Sequence, residues 1–310
     1  MRCTSLLCRI SGSVAFAAAL AAGPALQAQQ PIQVFFSAVD GDGMPVNDLR
    51  AEEITVQVDG SVCKPTRFEE INWPVKLQLM IDNGPVHSDA LRQLREALRL
   101  FLKELPTDME ITIVSTDPAP RFIYKAGTDR TKMLSSLDLM TPDSGAPKFI
   151  DAMAEAADRV DKDKKDKKEK GNYFPVLMMI GSAGLEGSNP RDYQIQKLFK
   201  QVGDNSITVH VVMQQNPNRS TDIASGTNQI EVGIRLTQGT GGRYEAINAE
   251  TRLSTLLPEF ARQIARSHAR QSHQYRITCV PTSVGPPKQV MANTLRTGLS
   301  AALTVDGRIP

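Results

Sequence analysis

Cysteine is scarce in this chain, with four among 310 residues, and Cys3 and Cys8 both sit in the first ten. Only Cys63 and Cys279 remain beyond that stretch, so the rest of the chain can hold one disulfide at most. No grouping of His and Cys has metal-ligand spacing, which argues against a structural zinc site. Charge of one sign is also missing: 36 basic against 34 acidic residues leave a net +2, which argues against nucleic acid or another polyanion as a partner. Beyond the amino end there is no second long apolar run, so the remainder reads as soluble, and any membrane association would go through a partner.

What is present begins with "MRCTSLLCRISGSVAFAAALAAGPALQAQQ". Arg2 and Arg9 precede an apolar, alanine-rich core, and small residues follow up to Ala28. This is the build of a secretory signal peptide over residues 1–28. The apolar core is short for a bilayer-spanning helix. The mature protein is therefore expected to be exported, to the periplasm or beyond the cell. In such an oxidising compartment Cys63 and Cys279 are either one disulfide closing a very long loop or two separate buried thiols. The remaining chain, roughly 280 residues, suits one large domain or a domain with an appendage.

From Ile32 to Phe68 the pattern is strand-like, with Gly-Asp-Gly and Asp-Gly turn signals. After Pro74 strands alternate with helices. "VKLQLMI" is a mostly apolar strand interrupted by Lys76 and Gln78. Ser88 can cap the next helix, Asp89 suits its positive end, and Leu91, Leu94, Leu98, Leu102 and Leu105 share one face. "MEITIVS", "FPVLMMIG" and "SITVHVVM" read as further strands, with "RFIYKA" a short one beside the first. "PKFIDAMAEAADRV", "PRDYQIQKLFKQV" and "ETRLSTLLPEFARQIARSHAR" read as helices. The alternation predicts a doubly wound α/β fold with a mostly parallel sheet covered on both faces. "HQYRITCV" and "LSAALTV" are strand-like again, so both chain ends are β and are expected to pack together. The predicted organisation is an amino-terminal β segment over 29–72, an α/β domain over 73–270 and a carboxy-terminal β segment over 271–310. The mixed run from Asp158 to Lys170, seven basic and five acidic residues, reads as a solvated helix extension and loop because its signs interleave.

Ligands of open α/β sheets sit at the carboxyl ends of strands near the switch point. Three loops converge there: Asp82 with Asn83, "TPDSGAPK", and Ser182 after "VLMMIG". The order of the blocks "LQLMIDNGPVHSDALRQLREALRLFL", "SGAPKFIDAMAEAA", "VLMMIGSAGLEGSN" and "LTQGTGGRYEAINAETRLSTLLPEFARQI" resembles a von Willebrand factor A domain. With the leader "FSAVDGDGMPVNDLRAEEITVQVDG" and the tail "QYRITCV", the chain is similar to exported bacterial VWFA-related proteins over nearly its whole mature length.

That resemblance implies a doubly wound sheet and protein binding. The family's metal-dependent adhesion site uses Asp-x-Ser-x-Ser, a Thr and a further Asp. Here Asp82 matches the first Asp, Gly84 and Val86 stand where the serines belong, Pro147 where the Thr belongs and Ser182 where the last Asp belongs. One carboxylate and one hydroxyl cannot replace a magnesium ion's hydration shell, so no metal and no cofactor is expected. Asp143 and Glu186 carry other oxygens nearby but do not match the pattern.

The expected function is a non-enzymatic protein-interaction module engaging an unknown protein partner without a bridging cation. Its rim would comprise Asp82, Asn83, Gly84, Val86, Pro147 and Ser182, together with Pro85, His87, Ala146 and residues 183–185. The alternatives are a metal-dependent adhesion domain with divergent ligands and a serine hydrolase using Ser182. The second suffers from a first glycine one place out of Gly-x-Ser-x-Gly and from histidines that fit better elsewhere: His210 in a strand, His268 and His273 exposed near a helix end. "GTGGR" lacks the Gly-Lys-Ser/Thr ending of a P-loop and reads as a turn into the last sheet strand, where glycine supplies positive φ.

Overall fold

The computed structural model describes residues 30–84, 91–146, 148–166, 172–183, 186–215, 223–283 and 285–309. Residues 1–29, which include the stretch that the sequence pattern reads as a signal peptide, lie outside them, as do Ser88, Asp89 and the end of the charged run after Asp166.

Four apolar runs, β5 (Val75–Ile81), β6 (Glu110–Ser115), β8 (Phe174–Ser182) and β9 (Thr208–Gln214), form the centre of a six-stranded sheet. Its order is β10-β9-β8-β5-β6-β7, with β10 (Tyr244–Ile247) and β7 (Arg121–Gly127) at the edges. Every pairing is parallel except that of β7 with β6. One face packs against α1 (Leu91–Glu104), α2 (Arg130–Ser136) and α6 (Leu253–Gln271), with Leu77, Leu79 and Ile81 of β5 at its centre. The other packs against α3 (Phe149–Lys165), α4 (Asp192–Asp204) and α5 (Ile223–Thr240), where Leu177, Met179, Val209 and Val211 meet them. This is the doubly wound architecture that the alternation of strands and helices predicts.

Two helices and a strand escape the sequence reading. The α2 helix is a seven-residue element started by Asp129, whose side chain accepts from the Lys132 amide at 3.0 Å. The α5 helix contains Gly226, Gly233 and Gly239, each unfavourable in a helix interior. Gly233 has a packing reason: a Cβ there would lie 3.3 Å from the Tyr244 ring and 3.5 Å from Phe149. The missed strand is β12 (Val290–Thr294).

The chain ends build two antiparallel sheets. In the first, β1 (Ile32–Val39) lies between β11 (Gln274–Cys279) and β13 (Ser300–Thr304), and β4 (Pro65–Ile71) closes the far side of β11. In the second, β2 (Ile54–Val58) lies between β12 and β3 (Ser61–Cys63). Phe36, Val56, Val58 and Ile277 fill the space between them, and the Cys63–Cys279 disulfide crosses it with Cα atoms 5.8 Å apart. The opposite face of β1 joins the α/β body: Phe35 meets Trp73 edge-on at 5.9 Å, and Trp73 meets Phe174 at 5.4 Å.

Candidate functional site

The chain leaves β5 to one side of the sheet through α1 and β6, and reaches the other side through α3 and β8. Asp82 and Ser182 end the two adjacent strands β5 and β8, at the switch point where the topology reverses. Asp82 is fully buried. Its Oδ1 accepts from the Gly84 amide at 2.7 Å, and its Oδ2 accepts from the Ser182 amide at 3.0 Å and from the Ser182 hydroxyl. Its own amide donates to the Ile180 carbonyl at 2.9 Å. One carboxylate thus ties the end of β5 to the end of β8.

Asn83, 1% exposed, ties in two more loops. Its Nδ2 donates to the Thr141 carbonyl at 2.9 Å, its Oδ1 accepts from the Asp117 amide at 3.1 Å, and its carbonyl accepts from the Asp143 amide at 2.9 Å. Asp143 and Glu186 serve their own backbone. Asp143 Oδ1 accepts from the Gly145 amide at 2.9 Å. The Glu186 carboxylate accepts from Phe149 and Ile150, both at 3.3 Å, at the start of α3, where the helix dipole favours negative charge. Burial raises the Glu186 pKa against those hydrogen bonds.

The residue that sequence reasoning missed is Asp117, which follows β6 and precedes Pro118 through a cis peptide bond. It is 1% exposed, and its Oδ1 has no hydrogen-bond partner. Burial first, then the neighbouring Asp82 carboxyl, push its pKa up to about 8. A signal was available, because "IVSTDP" repeats the "LMIDN" pattern of an aspartate just past an apolar strand.

These residues do not fit a magnesium site. The Asp82 oxygens are engaged by three donors of the chain itself, the Gly84 and Ser182 amides and the Ser182 hydroxyl. Among the described residues no group of three or more His, Cys, Asp or Glu side chains is placed to hold a metal ion. Acyl transfer at Ser182 also lacks its parts. The hydroxyl is buried and donates its hydrogen bond to the Asp82 carboxylate, with no imidazole beside it among the described residues. His210 is buried against Phe260, accepts from the Arg243 amide through Nδ1 at 3.1 Å, and is pushed down to about 4 by burial. His268 and His273 are half-buried rather than exposed, and His268 faces Asp108 at 3.8 Å. In "GTGGR", Gly241 takes φ 70° and a Cβ on Gly242 would fall 1.8 Å from the Val209 carbonyl oxygen, so the glycines serve the turn.

Of the predicted rim, the structure brings Asp82, Asn83, Gly84 and Ser182 together, all buried. Pro85, Val86, His87, Pro147, Gly184 and Leu185 lie outside the described residues. The exposed positions nearest this cluster in sequence are Pro118, Ala119, Thr141, Pro142 and Ser144.

No family model and no curated protein matches the chain. Among solved structures it is similar to a von Willebrand factor type A protein from Catenulispora acidiphila, at 12% identity and a TM-score of 0.49, over 89% of this chain and 73% of the other. It is also similar to BatB from Bacteroides thetaiotaomicron, at 11% identity and a TM-score of 0.45, over 62% and 100%. An aerotolerance-related membrane protein from Bacteroides fragilis NCTC 9343 follows at 10% identity and a TM-score of 0.42, over 61% and 99%. With such values the fold rests on the strand order and on the two helical layers themselves.

Proposed function

We propose that this chain is an exported, non-enzymatic protein-interaction module that meets a protein partner at the crevice rim without a bridging cation. One observation carries this reading: the single carboxylate at the ligand position is spent on the chain's own Gly84 and Ser182. Asp82, Asn83 and Ser182 then act as positioning residues that hold three loops in fixed relation. The contact surface is the loop exterior around Pro118 and Thr141–Ser144. A Cys63–Cys279 bridge suits an oxidising compartment, which supports export. Among the described residues no helix is long and apolar enough to cross a membrane.

Thermal unfolding of the mature protein, stripped with chelator and then given excess Mg²⁺ or Mn²⁺, tests the metal-free part. A ligand at a hundred times its dissociation constant adds roughly 2.7 kcal/mol, which for a chain of this size moves the midpoint by about 5 °C or more. No shift is expected. A shift that Asp82→Ala abolishes would establish a working adhesion site with divergent ligands instead. Turnover of generic esters that disappears in Ser182→Ala would overturn the non-enzymatic part.

A further inference from the structure

A central strand of a doubly wound sheet is covered on both faces and reads as continuously apolar. The β5 strand obeys this on the α1 side only. On the α3 side its residues run Lys76, Gln78, Met80, and the neighbouring β6 runs Glu110, Thr112, Val114 in register with them. Met80 and Val114 are buried; the polar halves are only partly covered, and they floor a groove of about 350 Å³ at the amino end of the parallel strands, away from the Asp82 crevice. The two residues that interrupt "VKLQLMI" are therefore groove residues.

The walls are two aromatic rings, each with a cation over it. Arg159 of α3 lies 5.3 Å over the Phe122 ring, with Nε and Nη2 donating to Gln78 Oε1 at 3.3 and 3.2 Å and Nη1 to Glu155 at 2.6 Å. Tyr173, with Lys76 Nζ 4.9 Å from its ring centre, forms the other side. The lip holds Lys125 and Lys162, both exposed, whose ammonium groups make no ion pair or hydrogen bond among the described residues. Of the four cations lining the groove, Lys76 is paired with Glu110 at 2.9 Å and Arg159 with Glu155 at 2.6 Å, which leaves Lys125 and Lys162 as the two without an ion pair among the described residues, beside one further carboxylate, Asp163.

We propose that this groove binds a small amphipathic organic anion, its rings or hydrocarbon body between Phe122 and Tyr173 and its anionic group between Lys125 and Lys162. Volume, aromatic walls and a few converging charges are the usual make-up of a small-molecule site. The aromatic faces suit a planar body, and two unpaired lysines supply the charge without breaking an existing pair.

The probe is anilinonaphthalene sulfonate, titrated into the full mature chain and followed by its fluorescence, beside the uncharged phenylnaphthylamine. Saturable binding at one site is expected, roughly tenfold weaker in Lys125→Gln/Lys162→Gln, with the neutral probe weaker than the sulfonate by a similar factor. Phe122→Ser is expected to weaken both probes. The lysines are exposed and unpaired, so their double variant should keep the wild-type unfolding midpoint. Unsaturable binding, an affinity unchanged in the double variant, or equal affinity for the two probes would overturn the proposal.

Discussion

Asp82 and Asp117 both follow an apolar strand and are both buried, yet their surroundings set them apart. Asp82 receives three hydrogen bonds from amide and hydroxyl donors, whereas one Asp117 oxygen receives none. Asp82→Ala leaves buried donors unpaired and is expected to cost about 2–4 kcal/mol in urea unfolding. A cost near zero would mean that the latch contributes nothing. Asp117 makes the opposite kind of contribution. An unfolded aspartate releases its proton near 3.8, the folded one at about 8, so between these values the folded state binds more protons. The Asp117 contribution to stability then falls as pH rises from about 4 to about 8, by an amount on the order of a few kcal/mol, while His210, pushed down from 6.5 to about 4, works against it below about 6.5. Urea unfolding at intervals across that window should show the slope in wild type and a smaller one in Asp117→Asn; equal slopes would place the titration elsewhere. Asp82 was legible because it sits in a patterned block, while Asp117 draws its character from burial beside Asp82 and Asn83, and its contact with Asn83, 34 residues away in the chain, is one that no local pattern encodes.

Elements with strong periodicity were readable, and those with mixed signals were not. The leucine face of α1 and the unbroken apolar run of β8 point to a single structure each. The α5 helix carries glycines and β-branched residues that lower its intrinsic propensity, and tertiary packing on β9 and β10 overrides this. The glycines of this region therefore differ in what they tolerate. Gly239 lies in the last turn of α5 with nothing within 4 Å of an added Cβ, so Gly239→Ala should raise stability by about 0.5–1 kcal/mol. Gly242→Ala would drive its Cβ into the Val209 backbone and should destabilise by several kcal/mol, on the order of the largest single-site effects. Thermal or urea unfolding of the two variants, side by side, checks the contrast; similar effects of the two substitutions would contradict the packing described. The groove beside α3 belongs to the same lesson, since Lys76 and Gln78 interrupt the apolar run of β5 where α3 meets it with the Arg159 guanidinium instead of an apolar side chain.

Over the whole molecule, the disulfide joins residues 216 positions apart and ties β3 of one terminal sheet to β11 of the other. Cross-linking so long a loop removes much freedom from the unfolded chain, and Cys63→Ser/Cys279→Ser is expected to lower stability by about 2–5 kcal/mol. An unchanged unfolding curve would show that the two sheets hold without it. The sequence offered the pair but not its geometry, because the distance between the two thiols is set by strands far apart in the chain. The same arrangement orders the events of folding. Both edges of β1 are taken by β11 and β13, strands near the other end of the chain. The first strand to be made must therefore wait for the last ones. The α/β body can assemble from its own consecutive elements, but the sandwich closes only once the last strands are present, so a chain cut short before Gln274 would carry Ile32–Val39 as an unpaired and aggregation-prone strand.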